Sequence, residues 1–231
     1  MGHTIVERLI LKNRQIIVRL SEKSDYDRVL EFLRLHFYPF DKSSHGRISG
    51  RQSKEDEFNE MKTINSGATV LAFTDDAQEE LIGISLAIGH NEEESHKNLA
   101  TYKKLSKIRG YPNNLEGLIF VEEMKIRSQL YRRLGINRAM YLSIAAVRED
   151  FQRLSLGKRL MQKNLDYARK LGYSVAFGVT VTTKGIRIND SLGFKSLYSI
   201  NFVDYKDYRG LAIYNSFPPH HQAIIHVKYL M

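Results

Sequence analysis

The stretch AMYLSIAAVREDFQRLSLGKRLMQKNLDYARKLGYS, residues 139–174, decides the fold. Its first nine residues, Ala139 to Val147, form a nearly unbroken apolar run. A run of that length fits a central strand covered on both faces. From Leu156 the apolar residues change to helical spacing, with Leu156, Leu160, Met161, Leu165, Ala168 and Leu171 on one side. Gly172 closes that helix. SVAFGVTV (174–181) supplies the next strand. A buried strand, a short polar turn, an amphipathic helix and a second strand make one parallel crossover unit.

The turn inside this unit carries the chemistry. The start of a helix leaves N–H groups unpaired and holds about half a positive charge, so it attracts anions. Leu154, Ser155, Leu156, Gly157 and Lys158 present their amides there. Gly157 lets an anion approach the backbone, and Arg153, Lys158 and Arg159 add charge. The Walker pattern GxxxxGK[ST] and the dinucleotide pattern GxGxxG are both missing. The same residues also fit an ordinary helix start in which Gly157 serves close packing. The turn by itself leaves both readings open.

Outward from the unit, strands are predicted at 14–20, 69–76, 81–90, 195–203 and 223–230. A helix is predicted from Ser24 to about Tyr38, with Ser24 or Asp27 as its cap and Pro39 as its stop. A second helix fits 54–65, behind a polar Gly/Ser-rich loop at 41–53. The segments 91–109 and 114–134 are charged and helical in character. KGIRINDSLGF reads as a short helix that ends at Gly193. The mixed order predicts an α/β (α+β mixed) fold, and no linker divides the single domain 1–231.

The chain has no Cys, which excludes thiol catalysis, Cys-ligated zinc, iron–sulfur clusters and disulfides. Lys and Arg number 35 against 26 Asp and Glu, for a net charge of +9 that favours anionic partners. The basic residues are scattered, so a solvated basic face explains them without nucleic acid. No apolar run reaches the roughly 18 residues of a membrane span. The first residues lack the apolar core and cleavage site of a signal peptide. These features predict a cytoplasmic protein with no membrane partner.

The unit at 143–174 resembles motif A of the GCN5-related N-acetyltransferases, in which an apolar strand and Q/R-x-x-G-x-G/A open a long helix. Here that run is Gln152-Arg153-Leu154-Ser155-Leu156-Gly157, with Ser155 where Gly is usual. KGIRINDSLGFKSL resembles motif B of the same family. HFYPFD (36–41), INFVDYKDYRG (200–210) and PPHHQAIIHVKYL (218–230) are similar to segments of the insect arylalkylamine branch. The resemblance implies a central, mixed and partly splayed sheet of about seven strands with helices on both faces. It implies acetyl-CoA as the coenzyme, with the diphosphate on the amides of 154–158. Ala145, Ala146 and Val147 then pair with the pantetheine arm, and Gln152, Arg153 and Asn189 complete the coenzyme site. The partner it implies is a small amine such as dopamine, tyramine or serotonin, or a polyamine, bound by a monomer.

Acetyl transfer requires an amine of pKa about 10.4 to lose a proton before it attacks. In the insect branch a Glu in the aromatic-rich segment is the usual base, and Asp41 falls on that position with Lys42 behind it. Asp41 equally starts the polar loop. His220 falls on the branch's Pro-His position near the amine, or is a loop histidine in water. Phe37, Tyr38 and Phe40 fit an aromatic wall for the substrate, although Phe37 also fits the helix core. Gly185 stands where some members carry Ser, and Thr182 nearby donates in its place or caps the helix. No His or carboxylate spacing fits a metal. Two other functions compete: a catalytically weak relative that binds coenzyme A or an amine, and a basic nucleic-acid module. The last predicts binding that falls steeply as salt is raised, read by the mobility of DNA or RNA at low and high salt.

Overall fold

The computed structural model describes residues 4–40, 54–66, 68–108, 115–207, 209–212, 214 and 221–230. Eight strands form one sheet: β1 (Ile5–Leu11), β2 (Arg14–Leu20), β3 (Val70–Thr74), β4 (Leu81–His90), β5 (Ala139–Val147), β6 (Val175–Thr180), β7 (Lys195–Asn201) and β8 (Gln222–Tyr229). Their order is β1-β2-β3-β4-β5-β6-β8-β7. Seven of them match the strands predicted from sequence. The eighth, β1, pairs with β2 through a two-residue turn, Leu11 opposite Arg14. Lys12 and Asn13 both adopt positive φ there, the geometry of a tight hairpin turn. The glycine that usually advertises such a turn is absent.

Alternation along the strands puts different helices on the two faces. In β3, Val70 and Ala72 meet the cluster of α6 (Leu156–Lys170), with Leu156 and Leu160. Leu71 and Phe73, the intervening residues, meet α1 (Tyr26–His36) through Val29, Phe32 and Leu33. In β5, Met140 and Leu142 join Met161, Leu165 and Ala168 of α6. Ala139 joins Phe120 and Met124 of α4 (Glu116–Arg127) on the other side. Helices α2 (Lys54–Asn65), α3 (Glu92–Leu105) and α5 (Leu130–Leu134) complete the set on the chain's way to β5, and α7 (Thr183–Ser191) follows β6. Each fully buried leucine such as Leu160 or Leu165 contributes about 1.5–3 kcal/mol to this packing. A side chain at Gly83 would meet Leu160 Cδ1 at 3.0 Å, so Gly83 sets how closely α6 lies on the sheet. Leu171, predicted on the apolar side, is 43% exposed, because it is the C-cap where the helix has already left the sheet.

The cap of α1 also differs from the prediction. A 3-10 turn, Lys23–Asp25, precedes the helix, and Asp25 closes a capping box with Glu22. Asp25 is buried against Arg19, whose guanidinium grips it at 2.6 and 2.7 Å. Burial opposes its charge, but the Arg19 fork and the Glu22 amide outweigh it and hold its carboxyl below the usual range. The charged segment before β5 is likewise more buried than its composition indicates. Glu122 pairs with Lys125 at 3.1 Å, and Glu123 holds Lys103, Arg127 and the Tyr205 hydroxyl. No described helix is long and apolar enough to cross a membrane.

The decisive departure from regularity lies in β5. The β4–β5 register runs from Ala87 opposite Leu142 directly to Leu86 opposite Ile144, which leaves Ser143 as a bulge. Bulges bend a strand. β5 pairs with β6 only at Met140–Ala176 and Tyr141–Phe177. Beyond that, β5 stays on β4 as far as Val147, and β6 stays on β8 as far as Thr180. The sheet therefore splits between its two central strands.

His90, at the end of β4, is buried beside Lys125 and bonded through Nδ1 to the Tyr131 hydroxyl at 2.7 Å. Burial, with Lys125 and Lys62 nearby, pushes its pKa down to about 2. Below an unfolded pKa of about 6.5 only the unfolded chain takes up this proton, so stability falls with acid by up to about 1.4 kcal/mol per pH unit. Denaturant melts from pH 7 to 5 should show that loss, and His90→Gln should reduce the slope.

Candidate active site

The turn after β5 is anchored before it reaches the helix. Phe151 is buried beneath β2, and the Arg148 amide donates to Ile82 O at 2.9 Å. The Arg148 side chain forks onto Asp150 at 2.8 and 3.0 Å. Arg153 and Ser155 then adopt left-handed backbone, φ 63° and 59°. For a residue with a side chain this conformation costs about 1–2 kcal/mol. Such alternation turns successive amides toward one side. Among the described residues, none of the N–H groups of 153–158 meets a hydrogen-bond acceptor. Arg153 and Lys158 are exposed and carry no ion pair among the described residues, whereas Arg159 is tied to Glu7 at 2.8 Å. Strained backbone, idle donors and idle cations thus coincide at one point.

This turn opens onto a cleft of about 450 Å³ that enters the split between β5 and β6. One wall is residues 142–147 of β5, whose edge toward β6 has no strand partner past Tyr141. Gln152 crosses the cleft's end: its Nε2 donates to Val147 O at 3.0 Å, and its Oε1 accepts from Lys184 Nζ at 3.0 Å. Its own amide is spent on Glu149 O at 3.1 Å. The opposite wall is Gly178 to Thr182, with α7 beyond it. Asn189 is held there by Thr180 Oγ1 at 2.7 Å, and Thr180 is held by His226 Nδ1 at 3.2 Å. Burial keeps His226 below its usual pKa, hence neutral at pH 7. Its ring nitrogen can then accept the Thr180 hydrogen while Thr180 accepts from Asn189. Ser85 and Ser143 also line the cleft, and neither hydroxyl has a hydrogen-bond partner among the described residues. Ser85 is 0% exposed, so its hydroxyl carries a desolvation cost of about 1–3 kcal/mol that a ligand atom or a water would relieve.

Phe37 and Phe40 stand at this cleft together with His36, on the α1 side of the sheet. Tyr38 does not line it; its ring packs edge-on to Phe37 at 5.5 Å in the cluster under α1. Thr182 lines the cleft and also caps α7, accepting from the Gly185 amide at 3.1 Å. A side chain at Gly185 would meet Thr180 Cγ2 at 2.8 Å, which explains why no serine stands there. Asp41 and His220 lie outside the described residues. Of the residues singled out in the sequence, Phe37, Phe40, Ala145, Ala146, Val147, Gln152, Thr182 and Asn189 line this one cleft, together with His36, Ser85, Met161 and Lys184, to which the sequence reading gave no site role. Only His36 left a signal, its place directly before the aromatic run. The other three reach the cleft through the bulge and the crossing of α6 and α7.

Solved structures share this fold. Mosquito arylalkylamine N-acetyltransferase like 5b superposes with a TM-score of 0.84 at 22% identity, over 93% of this chain and 100% of that one. A Drosophila melanogaster polyamine N-acetyltransferase, which forms N-acetylagmatine, gives 0.82 at 19% identity, over 93% and 100%. Arabidopsis thaliana NAA60, solved with acetyl-CoA, gives 0.53 at 15% identity, over 93% and 99%. No family model and no curated protein matches the sequence. The fold is that of the GCN5-related N-acetyltransferases, in the form the insect arylalkylamine enzymes take.

Gly157 separates the packing reading of the turn from the anion reading. A side chain there would meet only Val147 Cγ2, at an ordinary 3.5 Å. Gly157→Ala should therefore leave stability in thermal melts unchanged or raise it, by up to about 1 kcal/mol of helix propensity. Its affinity for inorganic pyrophosphate, measured by calorimetry, should fall by about tenfold or more.

Proposed function

We propose that the protein is an acetyl-CoA-dependent N-acetyltransferase that acetylates a small primary amine by direct attack in a ternary complex, as a cytoplasmic monomer. The observation that carries this reading is the row of amides at 153–158, unpaired among the described residues, that follows directly on Gln152, a lining residue of the opening between β5 and β6. The residues suit the coenzyme. The amides of 154–158, with Arg153 and Lys158, match a diphosphate in charge and direction. The free edge of Ala145 to Val147 matches an extended chain with amide groups, and Asn189 stands on the facing wall. When bound, acetyl-CoA supplies a thioester carbonyl that an amine can attack.

The chain's own groups account for the rest. Main-chain amides on the open edge of β5 near Val147 are suited to stabilise an oxyanion. Phe37 and Phe40 shield the α1 side of the opening and present aromatic faces to an arylalkyl group or its ammonium. Among the described residues the cleft lining contains no carboxylate, and Lys184 adds positive charge. That combination suits an arylalkylamine better than a polyamine, which brings several cations. With no Cys in the chain, no thioester to the enzyme forms during transfer. Asp41 and His220 are the positions at which the family resemblance places groups close to the amine.

Calorimetry should show acetyl-CoA binding, and assays with tyramine, dopamine, serotonin, agmatine and spermidine should show turnover that falls in Asp41→Ala or His220→Ala. Absence of coenzyme binding would sink the proposal. Binding without turnover on any of these amines would move the protein to the alternative, a coenzyme A-binding relative without useful catalysis.

A further inference from the structure

His36 is the last residue of α1. Val29, Phe32 and Leu33 clamp that helix to β3 and β4, so its end is fixed at the split in the sheet. The His36 ring lies 4.9 Å from the Phe32 ring and lines the cleft beside Phe37 and Phe40. Among the described residues, no hydrogen bond or ion pair holds it. This is unusual for an imidazole on a cleft wall, which ordinarily finds a carboxylate or a carbonyl to orient it.

The charged groups facing His36 are few. Arg148 and Asp150, from the turn after β5, are locked to each other, and Arg148 also reaches Glu80 at 3.5 Å. Lys184, on the far wall from α7, is engaged by Gln152. From its own helix the nearest cation, Arg34, is occupied by Glu57 of α2. Among the described residues, no carboxylate pairs with the ring. Burial first, then Arg148, holds the ring below its ordinary pKa, with Asp150 opposing only in part. At neutral pH it is an uncharged imidazole with a lone pair.

We propose that His36 is the proton acceptor of the acetyl transfer, standing on the amine side of the opening. This rests on the acetyltransferase reading above and deepens it. The ammonium gives one proton to a His36 ring nitrogen. The lone pair so released forms the C–N bond to the thioester carbonyl carbon, and the C–S bond breaks with its electron pair going to sulfur. The second proton leaves nitrogen as the amide forms and ends on the thiolate. His36 passes its proton to water, so each turnover yields amide, thiol and one free proton. An imidazole suits this task better than a carboxylate beside a lysine, the situation of Asp41, because its pKa lies nearer the working pH.

The test compares wild type, His36→Gln, Asp41→Asn and His220→Gln with tyramine and acetyl-CoA across pH. Glutamine keeps the hydrogen-bonding shape and cannot take the proton. His36→Gln should keep its acetyl-CoA affinity and lose about 10²-fold in kcat/KM. The wild-type profile should rise with pH through a step below about 6.5, and His36→Gln should lack that step. A step that persists in His36→Gln and disappears in Asp41→Asn or His220→Gln overturns the assignment in favour of that residue. A second readout needs no turnover. The His36 ring signal in proton–carbon spectra, identified by its loss in His36→Gln, should shift when tyramine is added to the coenzyme A complex. An unmoved signal overturns the proposal even where coenzyme binding, and with it the wider reading, survives.

Discussion

Two residue pairs hold the centre of this sheet together. Met140–Ala176 and Tyr141–Phe177 are the whole of the β5–β6 ladder, and every functional feature lies beyond their end. The bulge at Ser143 bends β5 away, and Gly178 lets β6 pass close to Leu142 O, which a side chain there would meet at 3.2 Å. A regular parallel pair would bond these edges to each other. The split instead leaves a strand edge unpaired inside the protein, where an extended ligand can complete it. Unmet backbone groups are costly when buried, so the opening is a built-in demand for a partner or for water.

The turn from 148 to 155 adds a second unmet demand beside the first. Phe151 and the Arg148 amide pin its start, the first turn of α6 pins its end, and Arg153 and Ser155 take up the difference as left-handed backbone. Strain of this kind persists only where the surroundings over-determine it. Here the surroundings are the cluster of Phe151, Leu156 and Leu160 against β2 and β4, so core packing stabilises the shape of the turn. Glycine at 155 would be freer, and Ser155 keeps the same amide direction at some cost in strain.

The two faces of the split then divide the labour. The α6 side offers amides and cations, and the α1 side offers His36, Phe37 and Phe40. Both faces lead to the same few residues of β5. The helices between β4 and β5 support this from a distance. Their buried pairs, Glu122 with Lys125 and Glu123 with Lys103 and Arg127, hold α4 over β6 and β8 through Tyr205 and Phe120. Burial beside Glu123 pushes the Tyr205 hydroxyl's pKa up, so it stays a donor to that carboxylate at every ordinary pH.

Local chemistry was readable in the chain itself. The apolar run at 139–147, the helical spacing from Leu156 and the glycine at 172 named the central unit, and the run Gln152 to Lys158 marked the turn that opens its helix. These depend on neighbours in sequence, where periodicity and capping act directly. The hairpin at Lys12-Asn13 was missed because positive φ was reached without glycine. Burial of Glu122, Glu123 and Lys125 was missed because charge in sequence reads as surface until a partner elsewhere neutralises it. Sequence by itself thus determined which residues form seven of the strands and the helix that follows β5. Only the tertiary structure decided that Ser143 bulges, that β5 and β6 part, and that His36 from a distant helix stands at the gap. Register between strands and the crossing of helices depend on contacts between residues far apart in the chain, and no local pattern encodes them.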